Sequence, residues 1–278
     1  MDLKKIIVFN IFLIIIATLF LNVELNQQDG LTHFLKSNGL CEYSLNEHCA
    51  EYPGFYHFLG SFFQPAQFMF FNFLLLVYFP FFLFNWLFKS DWAGYFFVTG
   101  SSFLMFVFDN NVFPSGLVTI LWVLFVFKDN LKLRLFLLIL SPFLHNSAPM
   151  LFIGSFIVLE LFKLFNNHFI VFPFLQFNPL ELFNEFYGKI DFWINSNLLM
   201  ISFCGLLEWV KLERWDLITL LIVSVVFSFN MSRSFFPAQL LLLFGFVLMF
   251  ERQPIKLKLI LVLISFAWFC LNVYRWLW

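Results

Sequence analysis

Long apolar runs recur along the whole chain, and most charged residues lie in the short stretches between them. Of the 278 residues, 62% are hydrophobic and only 12% are charged, whereas soluble domains carry about 25% charged residues to cover a water-exposed surface. The 48 phenylalanines are more than a soluble core of this size can hide, and they suit a lipid-facing surface. The pattern predicts an all-α, polytopic transmembrane bundle, with residues 1–278 forming a single integral membrane domain.

The apolar runs are long enough to be read as membrane spans, because a spanning helix needs about 20 mostly apolar residues. The first run, Ile6 to Val23, follows Lys4 and Lys5. It exceeds the core of a signal peptide, about 7–15 residues, and no small-residue cleavage site follows it, so we expect it to remain as an anchor. In all, about 9–11 spans are predicted. The further runs lie near 66–88, 93–108, 115–127, 135–146, 148–163, 197–210, 217–231, 236–250 and 259–277.

The basic residues predict an orientation, because Lys and Arg near helix ends are held on the cytoplasmic side during insertion. Lys4 and Lys5 therefore predict a cytoplasmic N-terminus in a multi-pass protein of the cell membrane. Alternation from this start makes 24–64 an external loop, in which we expect short interfacial helices. It makes 179–196 a second external loop if the short run 168–178 crosses as a re-entrant or broken helix. Ten further basic residues then face inside: Lys89, Lys128, Lys132, Arg134, Lys163, Lys211, Arg214, Arg252, Lys256 and Lys258.

The same topology brings the unusual polar residues to the external face. Polar residues at membrane depth are costly and are retained where they serve a site or a pathway. The alternative for each is a structural role in the headgroup region or against neighbouring backbone. For His145, the alternative is a polar kink in which His145-Asn146-Ser147 satisfies backbone groups freed by Pro142 and Pro149. The residues concerned are Asp29, His33, His57, His145 and Arg233.

The four cysteines divide into two pairs. Cys41 and Cys49 lie eight residues apart in the loop 24–64, where an oxidising exterior favours a disulfide, with free thiols as the alternative. Cys204 and Cys270 fall in apolar runs and are predicted to be packing residues.

The loop 24–64 carries a family resemblance. It opens with Asp29-Gly30, has His33 three residues later, and continues with Tyr-Pro-Gly-Phe-Tyr-His-Phe-Leu at 52–59. This order resembles the first external loop of GT-C membrane glycosyltransferases, which use polyprenyl-phosphate sugars as donors. The resemblance implies that an acidic residue early in the loop is the catalytic base or binds a metal ion, and Asp29 matches that position. Looser similarities lie at Val112–Leu117, Leu144–Ser147 and Ser232–Ser234.

The chemistry of sugar transfer suggests roles for these residues. A carboxylate or imidazole must take the proton of the acceptor, and a cation must neutralise the departing phosphate. Asp29 and His33 are therefore the predicted catalytic residues. Arg233 is predicted to bind substrate, because its planar fork donates paired hydrogen bonds to phosphate; its alternative role is to extend to the headgroups from a helix end. Three further residues are predicted to bind substrate: Tyr52, His57 and His145.

Cofactor and partner assignments are sparse. A divalent metal, Mg²⁺ or Mn²⁺, is left open, and no metal ligand is assigned, because the glutamates of the loop match no known cage. The predicted partners are a lipid-linked sugar and membrane lipid. A net charge of −1 and the absence of a Gly-rich phosphate loop argue against nucleic acid and nucleotide partners. The oligomeric state is left open.

Two other functions compete with the transferase. The stretch from Asn110 through the basic loop Lys128–Arg134 to His145-Asn146-Ser147 resembles the central segment of O-antigen and exopolysaccharide polymerases, although Phe113 stands where those proteins have an arginine. A non-catalytic transporter, flippase or assembly subunit is the third reading. A transporter needs polarity at membrane depth, where the sequence offers little besides Glu160 and Glu208, whereas an enzyme of this type needs it in external loops. This chain's polarity favours the loops.

Overall fold

The computed structural model of the chain is all-helical in the part that it describes. The described residues are 3–22, 67, 70–71, 73–100, 113–144, 148–164, 199–230 and 235–277. Within them the chain forms ten α-helices, one π-helical segment and no strand, so the prediction of an all-α fold is confirmed for these residues. None of these helices combines the length and the apolar character that crossing a membrane requires.

The helices coincide with the predicted apolar runs. A π-helical segment, Leu74–Tyr78, continues directly into the second helix, and the apolar pattern gives no sign of it. The helices are α1 (Leu3–Asn22), α2 (Phe79–Phe88), α3 (Ala93–Gly100), α4 (Phe113–Phe127), α5 (Leu131–Leu144), α6 (Ala148–Leu164), α7 (Leu199–Lys211), α8 (Trp215–Asn230), α9 (Phe235–Glu251) and α10 (Ile255–Leu277).

Short turns separate helices where polar residues interrupt the apolar runs. After α2, Lys89 adopts a left-handed conformation with a φ of 50°, and the amide of Ser90 donates a hydrogen bond to the carbonyl of Asn85 at 3.1 Å. The side-chain oxygen of Asn85 accepts a hydrogen bond from the amide of Gly94 at 2.7 Å. Because one asparagine bonds to both sides of the turn, it ties the end of α2 to the start of α3.

Helix α5 continues through an internal proline, Pro142. Proline has no backbone N–H, so the carbonyl four residues earlier, that of Leu138, loses its helical donor. The hydroxyl of Ser141 donates to this carbonyl at 2.7 Å, and Ser141 is fully buried. A serine side chain therefore replaces the missing backbone hydrogen bond.

The chain divides into two compact units. Apart from the last two residues, unit 1 comprises Met1–Val98 and Phe103–Ile153, and unit 2 comprises Thr99–Ser102 and Gly154–Trp276. The division falls inside helices α3 and α6. The prediction of one integral membrane domain over the whole chain stays a prediction.

The core of unit 1 is aromatic. Phe84 and Phe97 meet edge to face with ring centroids 4.6 Å apart, and Phe125 and Phe152 do the same at 5.1 Å. All four side chains are fully buried. Edge-to-face pairs add about 0.5–1.5 kcal/mol to the free energy of burial, so the phenylalanine-rich sequence packs with defined geometry inside the unit.

In unit 2, helices α7 and α9 pack backbone against backbone. A Cβ atom on Gly205 would overlap the carbonyl oxygen of Leu242, and a Cβ atom on Gly245 would overlap the carbonyl oxygen of Gly205. The indole N–H of Trp209 donates a hydrogen bond to the carbonyl of Leu241 at 2.7 Å across the same interface. Two glycines therefore permit a close approach that larger residues would prevent.

Many large apolar side chains are exposed on the outer faces of the helices. Helix α10 is the clearest case, because its described exposed residues surround most of its circumference. They include Ile255, Leu257, Leu259, Ile260, Leu263, Ile264, Phe266 and Leu271 on α10; Ile7, Val8, Ile11, Ile14 and Ile15 on α1; and Leu131, Leu135, Phe136, Ile139 and Phe143 on α5.

Candidate functional site

Every residue predicted to form the site lies outside the described residues. The loops 24–64 and 179–196 and the short run 168–178 lie outside them as well. Their predicted structures and roles stay predictions. The structure does show which helix ends are connected in the sequence to most of the site residues. The site residues concerned are Asp29, His33, Tyr52, His57, His145 and Arg233, with the predicted disulfide partners Cys41 and Cys49.

The other two cysteines are free thiols. Cys204 is half-buried in α7, whereas Cys270 is exposed on α10. The predicted packing role therefore fits Cys204 but not Cys270, because α10 buries only a narrow face.

All charged residues among the described residues of unit 1 lie at one end of its helices. Lys5, at the start of α1, forms an ion pair with Asp91 in the turn after α2. In the turn after α4, Lys128 has its Nζ 3.8 Å from the centroid of the Trp86 ring, near the end of α2. These contacts bring the start of α1 together with the ends of α2 and α4. We call this the basic end of unit 1; its described charged side chains are Lys5, Lys89, Asp91, Lys128, Asp129, Lys132 and Arg134.

Arg134 has a structural role at the basic end. It is 3% exposed, and its Nε and Nη2 donate to the carbonyls of Phe125 at 2.9 Å and Val126 at 3.3 Å. Its Nη1 lies 3.4 Å from the carboxylate of Asp129. The guanidinium therefore caps the carbonyl end of α4, where the helix dipole favours a cation.

Unit 2 has a buried carboxylate, Glu208, which is 4% exposed. It forms an ion pair with Arg252, just beyond the end of α9. Its Oε1 accepts no directed hydrogen bond from the described residues, so the charge of the guanidinium is its compensation. Gly205, about one turn before Glu208 in α7, faces Gly245 of α9. The ion pair and the two glycines therefore belong to the same contact between α7 and α9.

The other described ion pairs of unit 2 also lie near helix ends. Beside the start of α8, Arg214 donates two hydrogen bonds to the carboxylate of Asp216, at 2.9 and 2.7 Å. Lys258 reaches the carboxylate of Glu251 at 3.2 Å, and its Nζ also donates to the backbone carbonyl of Glu251 at 2.7 Å. These basic residues are therefore held by local acids, which limits what they can offer to a ligand.

A polar pair joins α1 to the π-helical segment. The hydroxyl of Tyr78 donates to Oδ1 of Asn10 at 3.1 Å, and Nδ2 of Asn10 donates to the carbonyl of Ile6 at 2.8 Å. Both Tyr78 and Asn10 are half-buried. Because both the oxygen and the nitrogen of the Asn10 side-chain amide have protein partners, the pair is best explained as a contact between helices.

Several segments that carry predicted site residues are connected to the helix ends that lie opposite the basic turns. Helix α1 has 20 residues and is about 30 Å long at the usual helical rise, so Asn22 lies far from the basic end. The loop 24–64 follows Asn22, and 145–147 follows α5, which begins at the basic end. In unit 2, 231–234 precedes α9, whereas Arg252 follows it. Within each unit, the predicted site residues and the described basic turns therefore adjoin opposite helix ends.

Sequence reasoning missed the partner of one residue that it noticed. Glu208 stands out as a charge inside an apolar run, but nothing in the sequence pairs it with Arg252. The capping role of Arg134 was equally hidden inside a basic cluster. Both contacts depend on tertiary packing, so the sequence shows only that Glu208 and Arg134 are charged.

Among the residues that the structure describes, no group of three His, Cys, Asp or Glu side chains is arranged to hold a metal ion, and the open assignment of Mg²⁺ or Mn²⁺ stays a prediction. No family model, curated protein or solved structure matches the chain.

Proposed function

We propose that this chain is a multi-pass protein of the cell membrane and a glycosyltransferase that moves a sugar from a polyprenyl-phosphate donor to an acceptor at the external face. The proposal combines a location and a reaction. Each has its own support, and the location can hold even if the reaction fails.

The location is supported by the exposed apolar surface. Soluble monomers rarely expose continuous apolar patches beyond a few hundred Å², whereas α1, α5 and α10 present rows of exposed Ile, Leu and Phe to their surroundings. Lipid chains can cover such a surface without the free-energy cost that water imposes. This surface, together with a mean hydropathy of +0.87, is the observation that carries the proposal, which does not depend on the length of any one helix.

The distribution of charge supports an orientation. Among the described residues of unit 1, the charged side chains gather at the basic end, and basic residues favour the cytoplasmic side. Helix α1 then leads outward, and the loop 24–64 begins at the external face. A lipid-linked sugar and its acceptor would meet there.

The reaction is supported by the residues of that loop and by its GT-C-like order. In the proposed step, Asp29 or His33 accepts the proton of an acceptor hydroxyl, and the hydroxyl oxygen forms a bond to the anomeric carbon of the sugar. The bond between that carbon and the phosphate oxygen breaks, and the polyprenyl phosphate leaves with the electron pair. Arg233 neutralises the leaving phosphate through paired hydrogen bonds.

The described charges favour an enzyme over a transporter. Transporters hold substrates and ions at membrane depth with polar groups that remain available. Here the described ion pairs lie near helix ends, and the buried carboxylate of Glu208 already has Arg252 as its partner. The polymerase alternative shares the same donor chemistry and differs in its product, a lengthened lipid-linked chain.

A transfer assay in native-lipid membranes tests the reaction. Labelled polyprenyl-phosphate sugars are offered to the wild type and to Asp29→Asn and Arg233→Ala. We expect the wild type to transfer sugar, Asp29→Asn to lose turnover by about 100-fold or more, and Arg233→Ala to be strongly impaired. If both variants behave as the wild type, or if no donor is consumed, the catalytic proposal is wrong.

Matched control variants lie at the helix ends opposite those that adjoin the predicted site residues. Asp129→Asn removes a carboxylate that is 75% exposed at the basic end, and Lys256→Ala removes an exposed cation at the start of α10. Both should retain wild-type turnover. The length of the labelled product separates one transfer from polymerisation.

A further inference from the structure

Two helices of unit 1 end side by side, each at a phenylalanine that is followed by a lysine. Helix α2 ends at Phe88 and is followed by Lys89, and α4 ends at Phe127 and is followed by Lys128. The two phenylalanine rings meet edge to face with centroids 4.8 Å apart. Lys128 lies over the ring of Trp86, which is 62% exposed. Two lysines therefore emerge from adjacent helix ends beside an exposed indole, a side chain that suits the headgroup region of a membrane.

The described side chains of the basic end carry more positive than negative charge. Five basic and two acidic side chains lie there among the described residues of unit 1, which gives them a net charge of +3. Of the two acids, Asp91 pairs with Lys5 and Asp129 lies beside Arg134. Lys89 and Lys132 are exposed. The end as a whole therefore attracts anions.

One face of α5 extends this charge into an apolar stripe. Phe136, Ile139 and Phe143 follow Lys132 at intervals of four, three and four residues, which is the spacing of a single helix face. The three apolar side chains are 59%, 70% and 62% exposed. A cation at the helix start followed by an exposed apolar row matches a molecule with an anionic head and a long hydrocarbon chain.

We propose that the basic end of unit 1 binds an anionic phospholipid. Lys89, Lys128 and Lys132 attract its phosphate, and an acyl chain lies along the Phe136, Ile139 and Phe143 face of α5. The inference rests on the membrane location in the proposed function and does not depend on sugar transfer. The partner is a lipid rather than a soluble phosphate, because the apolar stripe would gain nothing from an inorganic ion.

The basic residues of unit 2 provide a natural contrast. Arg252, Arg214 and Lys258 have carboxylate partners, whereas Lys211 and Lys256 are exposed. Replacing those two exposed lysines removes the same charge as replacing Lys89 and Lys132. The two double variants therefore distinguish a site from a general effect of charge.

Lipid binding to the purified full chain is measured by native mass spectrometry with phosphatidylglycerol and phosphatidylcholine as probes. We expect the wild type to bind phosphatidylglycerol more tightly. K89Q/K132Q should weaken that binding by about 25-fold, at roughly fivefold for each lysine near an anionic headgroup, and leave phosphatidylcholine unchanged. K211Q/K256Q should change it less than about twofold. Ile139→Gln should weaken both lipids, because it interrupts the apolar stripe.

Three results would overturn the inference. They are an unchanged preference for phosphatidylglycerol in K89Q/K132Q, an equal loss in K211Q/K256Q, and competition by inorganic phosphate as effective as that by the lipid. A wild type that binds neither lipid and does not enter vesicles would instead refute the membrane location. Circular dichroism of each variant confirms that it is folded.

Discussion

The guanidinium of Arg252, beyond the end of α9, lies against the buried carboxylate of Glu208 in α7. The pair joins two helices that are separated in the sequence by the whole of α8. Glu208 is almost inaccessible, whereas the Arg252 side chain is about half exposed. The free energy of the contact is therefore dominated by the carboxylate, which would be buried without compensation if the arginine were absent.

Removing the arginine should cost more than removing the whole charged pair. Arg252→Met leaves Glu208 buried and unpaired, and we expect a loss of about 2 kcal/mol in the free energy of unfolding. The double variant Glu208→Gln/Arg252→Met should recover most of that loss, because no buried charge remains. Denaturant unfolding in detergent, followed by circular dichroism, measures both.

The pair between Lys163 and Glu160 is the control. Both side chains are partly exposed, so Lys163→Met should cost less than about 0.5 kcal/mol. If Lys163→Met and Arg252→Met are equally destabilising, the burial of Glu208 is not the cause.

Two glycines in helices should respond oppositely to alanine. Gly205→Ala forces a methyl group into the carbonyl of Leu242, and we expect it to destabilise unit 2 by about 3 kcal/mol. Gly154 in α6 has open space around its Cβ position, so Gly154→Ala should be neutral or stabilise by up to about 1 kcal/mol through helix propensity. Thermal unfolding of the two variants against the wild type tests the pair. Equal shifts in the two midpoints would contradict the close packing of α7 on α9.

The hydroxyl of Ser141 should matter only while Pro142 is present. Ser141→Ala leaves the carbonyl of Leu138 without a donor and should cost about 1–2 kcal/mol. In a Pro142→Ala background, the restored amide of residue 142 can bond to that carbonyl, and the same change should cost less than about 0.5 kcal/mol. A double-mutant cycle on denaturant unfolding measures the difference. Additive costs would mean that the serine contributes in some other way.

The fold class was predictable because the signal is local. Apolar runs bounded by polar turns predict helices from neighbouring residues alone, and the described helices follow those runs. The turn at Asn130 is also readable, since its side chain accepts a hydrogen bond from the amide of Leu133 as a helix-starting asparagine should.

The features that escaped prediction depend on contacts or on competing local geometry. The pairing of Glu208 with Arg252 and the approach of Gly205 to Gly245 require the packed unit. The π-helical segment Leu74–Tyr78 consists of ordinary helix-compatible residues, so no residue type marks it. The predicted catalytic and binding residues lie outside the described residues, in stretches of the sequence where hydrophobic periodicity carries little information.

The proposed orientation makes a prediction for single cysteines. In a background with the four native cysteines replaced by serine, Asp129→Cys and Lys211→Cys introduce thiols at turns next to the basic helix ends, and Ser232→Cys introduces one between α8 and α9. In sealed right-side-out vesicles, a membrane-impermeant maleimide should label only Ser232→Cys, since basic ends favour the cytoplasmic side. In inverted vesicles it should label the other two. Labelling of all three from one side would refute the orientation and, with it, the external site proposed for Asp29.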